Sequence, residues 1–237
     1  MTANQKEQHP SQQTPPVCPV GETDCPIATE VAELRQNLTE LSSLVRTDPL
    51  TGIANYRYFQ QALEQEIERT QRSGQPTSLM MLDIDFFKKV NDQWGHEVGN
   101  QALIHLSRLL QQIVRKLDIP CRYGGEEFAI ILPDTNLAAS IPVAERIRRG
   151  IEESPLDVAG QPVHMTVSLG ITTYSDKQEA SIEGLVKQAD QYLYQAKEAG
   201  RNRVCHAELP SVDIVTTEEK QALSKLFGSG TTKKDLP

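Results

Sequence analysis

Stripes of apolar residues with helical spacing alternate along this chain with short, unbroken apolar runs, and that alternation leaves few folds open. Tyr56, Phe59, Leu63 and Ile67 would share one helix face, as would Leu103, Leu106, Leu110, Ile113 and Leu117. Leu137, Ile141, Ala144, Ile147 and Ile151 make a third stripe, and Ile182, Leu185, Ala189, Leu193 and Ala196 a fourth. Between them, Leu79 to Leu82 and Phe128 to Leu132 are solid apolar runs, as expected of strands covered on both faces. Val163, Met165, Val167, Leu169 and Ile171 alternate with other residues, which predicts one strand with two unlike faces. Arg203 to His206 reads as a last short strand. The order predicts an α/β domain, an α+β sandwich built on a central sheet.

Ahead of this core, Ile27, Val31, Leu34, Leu38, Leu41 and Val45 form an a/d seam of nearly three heptads, which stops at Asp48-Pro49. The seam reads as a dimerising coiled-coil stalk; a single amphipathic helix packed on its own domain is the other reading. Residues 1–26, rich in Gln, Pro and Thr, are expected to be a disordered lead, 27–47 the stalk, 48–206 the folded domain and 207–237 a tail. In that tail Thr216 and Glu219 resemble a capping box ahead of Ala222, Leu223 and Leu226.

No window approaches the roughly 18 apolar residues of a membrane span, and the N-terminus lacks an apolar signal region, so a cytoplasmic protein without membrane contact is expected. The net charge of −8 argues against a nucleic-acid partner but not against nucleotides, whose charge a local pocket and a metal can match. Cys18 and Cys25 are spaced more widely than a zinc knuckle. With Cys121 and Cys205 they read as reduced thiols, a metal site on the first two being the alternative.

Two constellations carry chemistry. Asp83-Ile84-Asp85 closes the first buried run, where carboxylates can hold Mg²⁺ together with substrate phosphates, although such a pair can also simply start a solvated loop. Arg122-Tyr123-Gly124-Gly125-Glu126-Glu127-Phe128 predicts a tight hairpin with positive φ at the glycines. The missing Cβ atoms would let a phosphate approach, and the paired acids would repel each other unless a cation relieves them.

Arg122 to Phe128 resembles the GGDEF/GGEEF signature of diguanylate cyclases. The rest of that family's pattern follows in order: Asp48-Pro49-Leu50-Thr51-Gly52 with Asn55 and Arg57, Asp83 to Asp92, Gly95-His96 with Gly99, and Ala189-Asp190 through Tyr194, Ala196-Lys197 and Gly200-Arg201-Asn202. The resemblance spans about residues 46–206. It implies a nucleotidyl-cyclase or polymerase-palm fold, a ferredoxin-type core with a mostly antiparallel sheet. The implied enzyme is a nucleotidyltransferase that joins two GTP into the signalling molecule cyclic di-GMP, releasing pyrophosphate from two subunits that face each other. The alternative is a degenerate GGDEF receptor that binds GTP or cyclic di-GMP without turnover.

Carried over by position, the family implies that Asp83, the Ile84 carbonyl and Glu127 bind metal, two Mg²⁺ per site with Mn²⁺ as a substitute. Glu126 is the implied general base or transition-state partner, and Lys88 stabilises transition-state charge. Lys197 and Arg201 reach the terminal phosphates. Asn91, His96 and Asn100 form the nucleotide pocket, with Leu50 as an apolar wall. Asn100 departs from the usual Asp, and an amide offers guanine's two donors only one acceptor oxygen. Arg115 and Asp118 match the family's inhibitory R-x-x-D site for product, or else are a plain ion pair on a helix end. Arg146 matches a secondary product contact, or is one more Arg on an amphipathic helix. The short-stalk layout resembles SiaD-type cyclases, in which a regulatory protein acts on the stalk.

Overall fold

The computed structural model describes residues 26–44, 46–175 and 181–209. Val45, Cys18, Cys25, most of the expected lead and the tail capping box lie outside the described residues. Among the described residues the six helices are α1 (Pro26–Leu44), α2 (Tyr56–Ser73), α3 (Phe87–Trp94), α4 (His96–Ile113), α5 (Leu137–Glu152) and α6 (Ile182–Glu198). The strands among the same residues are β1 (Thr77–Ile84), β2 (Ile119–Arg122), β3 (Glu127–Leu132), β4 (Leu156–Val158), β5 (Gln161–Val163), β6 (Val167–Tyr174) and β7 (Val204–His206). Asn55, Asn136 and Ser181 start α2, α5 and α6 by accepting a backbone N–H three residues on, and left-handed Gly74 closes α2.

The main sheet has the order β2-β3-β1-β6-β7, with every pair antiparallel except β6 and β7. Strand alternation divides the core. Met80, Leu82 and Ile84 face the layer with Leu106, Leu110 and Ile147, whereas Leu79 and Met81 face the layer with Phe59, Leu63 and Leu193. Asp83 therefore shares its sheet face with α2 and α6. The register puts it directly opposite Glu127 on one side and Ser168 on the other. This is the expected α+β sandwich with a ferredoxin-type, mostly antiparallel core.

Three local expectations are corrected. The alternating segment is not one strand: β5 ends at Val163 and β6 starts at Val167, and between them the Thr166 carbonyl accepts the Asp85 N–H at 2.9 Å. Nor are the faces of β6 unlike in exposure, because α6 lies directly on the polar one. A Cβ at Gly170 would run into the Ala189 carbonyl and the Leu193 amide. Finally, Leu117 leaves its stripe: α4 ends at Ile113, Val114 is extended, and Leu117 is 72% exposed. The Asp118 carboxyl accepts the Arg115 N–H at 2.7 Å, a local bond that competes with another helical turn. The alternation also did not announce α3 or the small β4–β5 hairpin. Among the described residues no helix is long and apolar enough to cross a membrane.

Candidate active site

The end of β1 and the start of β3 form the floor of the site. Asp83 is buried to 5% exposure, and its Oδ2 lies 2.9 Å from the Lys197 ammonium of α6. Burial still pushes the Asp83 carboxyl above the usual range, against the pull of Lys197. Glu126 is raised too, by burial and then by the Asp83 charge. Asp190, two helical turns before Lys197, is raised by burial and then by Glu127. Asp83, Glu126 and Asp190 thus all feel the Lys197 charge. Among the described residues no three His, Cys, Asp or Glu side chains are grouped to hold a metal by themselves. Two carboxylates and the Ile84 carbonyl, with phosphate oxygens completing the shell, are the kind of sparse oxygen set Mg²⁺ accepts. The residues therefore fit a divalent ion whose shell is completed from outside the protein.

The Gly-Gly turn is held by Arg122. Its guanidinium donates to the Gly124 and Gly125 carbonyls and, at 3.1 Å, to Asp48. Asp48 in turn accepts the Thr51 N–H and hydroxyl, so the 48–52 loop and the turn are one unit. Tyr123 and Gly124 both donate their N–H to the Glu127 carbonyl, and the Tyr123 ring packs edge-on against Tyr56 and Phe59. Neither Gly124 nor Gly125 is among the glycines with positive φ, which corrects the expected turn geometry. What position 124 requires is the absence of a side chain, since a Cβ would come within 2.7 Å of Glu127 Oε2.

The two aspartates of the β1 exit have different surroundings. Asp85 accepts the Thr166 and Ser168 hydroxyls, each at 2.7 Å, and the Asn202 N–H at 3.0 Å. Its oxygens are taken up by the protein, whereas Asp83 meets Lys197. The Asn202 bond fixes the loop that carries Arg201 beside the β1 exit.

Gly95 joins α3 to α4 and brings Asn91 against Gly99, where a Cβ would collide with the Asn91 side-chain oxygen. His96 and Asn100 are exposed one turn apart on α4, Lys88 is exposed on α3, and Leu50 packs half-buried against the core. Arg115 and Asp118 line a cleft of about 290 Å³ with Gly52 and Ile53, away from the acids. Arg115 meets Asp118 through its backbone amide, on a turn rather than on a helix end. Arg146 lines a neighbouring cleft and donates to the Ile113 carbonyl at 3.2 Å. Asp190 belongs to the family motif, but the sequence assigns it no role. The signal for it was its seven-residue spacing from Lys197, which puts both on one face of α6. A groove of about 780 Å³ between α2 and α6 includes Asp190 and Tyr123 in its lining.

A buried acid at the exit of a central strand, opposed by a second acid and paired with Lys197, on a ferredoxin-type sheet, defines a palm-like α+β domain. The chain belongs to the diguanylate cyclase GGDEF-domain family, whose model matches residues 45–203. It is 43% identical over 173 residues to the response regulator PleD of Caulobacter vibrioides, a stretch that is 72% of this chain but only 38% of that protein. The diguanylate cyclase SiaD of Pseudomonas aeruginosa, solved in complex with its activator SiaC, has a similar structure (TM-score 0.67, 36% identity, 76% of this chain and 69% of that one). So does the coiled coil and GGDEF domain of DgcB from Caulobacter crescentus, solved with c-di-GMP (TM-score 0.65, 30% identity, 76% of this chain and 95% of that one).

Proposed function

We propose that the protein is a diguanylate cyclase that condenses two GTP into cyclic di-GMP and two pyrophosphates. The observation that carries this reading is the Asp83–Glu127 pair facing each other across β1 and β3, with Lys197 at 2.9 Å. Asp83, the Ile84 carbonyl and Glu127 would hold divalent ions, two Mg²⁺ per site with Mn²⁺ as a substitute. When bound, they would neutralise the α-phosphate and make the ribose 3′-hydroxyl easier to deprotonate. Glu126, whose carboxyl is raised above the usual range by burial and then by the Asp83 charge, accepts that proton. Lys88 stabilises charge on the phosphates. Lys197 leaves Asp83 for the terminal phosphates, which Arg201 also binds through its fork of donors. Asn91, His96 and Asn100 hold the nucleotide against Leu50. Each 3′-hydroxyl attacks the GTP of a second subunit, so two domains must meet.

Purified protein given Mg²⁺ with GTP, and separately with ATP, is expected to yield cyclic di-GMP from GTP. The amide at Asn100 narrows the preference for GTP, and Asn100→Asp widens it. Tight binding of GTP or cyclic di-GMP without product would instead establish a receptor.

Arg115, Asp118 and Arg146 are read as a product-binding inhibitory site. The buried Asp118 feels both guanidiniums, although burial is the larger effect and raises its carboxyl. Arg115→Ala is expected to keep the initial rate within about twofold and to raise the cyclic di-GMP concentration needed for half-inhibition by about tenfold, the loss of a charged hydrogen bond. Inhibition equal to the parent's would reduce Arg115 to a turn residue.

The stalk is read as the dimerising element, because Ile27, Leu34 and Leu41, seven residues apart, are all exposed rather than packed on the domain. Changing Leu34, Leu38 and Leu41 together to Ser should lower specific activity at high dilution, with recovery as protein concentration rises. A dilution series superimposable on the parent's would remove the stalk model. A short seam also leaves room for a regulatory protein on the stalk, and SiaD with its activator is a related precedent.

A further inference from the structure

Phe86 holds a backbone conformation that bulky residues rarely adopt. Its φ of 57° and ψ of 29° are left-handed, a region that suits Gly or Asn. It stands at the N-cap of α3 but makes no side-chain capping bond there. Its ring is 50% exposed, while the adjacent Phe87 is buried at 6%. Neither capping nor core packing accounts for an aromatic residue at this position. Its neighbours are cations: Arg201 Cζ lies 4.4 Å and Lys89 Nζ 4.3 Å from the ring centroid. Both are well inside the ~6 Å reach of a cation–π contact.

Arg201 comes from an equally unusual loop, in which Gly200, Arg201 and Asn202 all have positive φ, of 113°, 63° and 46°. The two left-handed turns are tied together by the Asn202 N–H on Asp85, the residue just before Phe86. They meet again where Arg201 lies over the Phe86 ring. Among the described residues no carboxylate forms an ion pair with the Arg201 guanidinium. A guanidinium stacked through its face keeps its edge donors available, and a side chain already held in place loses less freedom on binding phosphate.

We propose that Phe86 is a positioning residue for Arg201, an aromatic plate that presents the guanidinium to the terminal phosphates of the bound nucleotide. The ligand's identity rests on the cyclase reading above. The cost of a left-handed Phe is retained because the ring fixes a phosphate-binding cation.

The test is a double-mutant cycle with Arg201→Ala, read in KM, kcat, calorimetric Kd for a non-hydrolysable GTP analogue, and melting temperature. Phe86→Asn removes the ring but suits the left-handed backbone, so its melting temperature holds or rises. Its KM and Kd should rise about three- to fivefold, equivalent to about 0.6–1 kcal/mol, with kcat within twofold. Phe86→Tyr keeps the aromatic face and should match the parent. In the Arg201→Ala background, Phe86→Asn should change nothing further. Unchanged affinity for Phe86→Asn, an equal loss in both backgrounds, or stability falling together with affinity would each overturn the proposal. A parent that shows this binding pattern but makes no cyclic di-GMP refutes the cyclase reading and leaves the positioning role standing. A parent that binds no nucleotide overturns both.

Discussion

Glu127→Ala is expected to lower the rate of cyclic di-GMP synthesis by at least about a thousandfold, corresponding to the ~4 kcal/mol of transition-state stabilisation that a metal's charge supplies. The protein should remain folded. The Glu127 side chain is exposed, and what β3 needs from this residue is its carbonyl, which accepts the Tyr123 and Gly124 amides whatever the side chain. An exposed substitution of this kind shifts stability by no more than about 0.5 kcal/mol. Because Asp83 sits opposite and remains, the variant separates loss of one metal ligand from loss of the site. The measurement is the initial rate at saturating GTP and Mg²⁺, with the melting curve as control. A rate within tenfold of the parent's would remove Glu127 from the ligand set.

The two aspartates of the β1 exit should respond in opposite ways. Asp85→Ala strips the acceptor from the Thr166 and Ser168 hydroxyls and the Asn202 amide in a buried setting, and should cost about 3 kcal/mol. In a domain of this size that is a fall of about 6–12 °C in melting temperature. Asp83→Asn should leave the melting temperature unchanged or raised while abolishing turnover. The reason is the sign of its shift. Burial raises the Asp83 carboxyl in the fold above its unfolded value, so ionised Asp83 opposes folding above the ordinary carboxylate range. That opposition fades as pH falls through the raised value, and the neutral amide removes it at neutral pH. Mg²⁺ with nucleotide should raise the melting temperature of the parent but much less that of Asp83→Asn, because a ligand stabilises only the state that binds it. Destabilisation of both variants by similar amounts would mean that Asp83 is a structural residue like Asp85.

Much of the site could be read along the chain because its parts are contiguous. A buried run ending in Asp83 and two acids after two glycines carry their chemistry locally, and the family resemblance added Lys197 and Arg201 near the end of a helix. Motif order then implied a common centre, and the β1–β3 register brings Asp83 and Glu127 face to face. Less legible were the residues whose roles depend on what lies across from them. Asp83 and Asp85 are equivalent in sequence, two residues apart at the exit of β1. Only the arrival of Thr166, Ser168 and Asn202 gives one of them to the protein. Asp190 is an exposed helix residue in the fold as in the sequence, and what sets it apart is a carboxyl raised by partial burial and then by the Glu127 charge.

Local pattern was sufficient for most helix and strand periods and for the family signature, since each depends on neighbours a few residues away. It could not foretell that the polar face of β6 is buried under α6, because that depends on Gly170 admitting the backbone of a helix beyond it. Nor could it show that Gly124 is needed for the space Glu127 occupies rather than for a positive φ. The same holds for Phe86, whose left-handed backbone and cation contacts arise only when the loop at Arg201 folds back over the β1 exit. Periodicity records which side of an element is apolar. Which group fills the space opposite is set by long-range closure of the chain, and in this domain that closure apportions the acids and cations of the site.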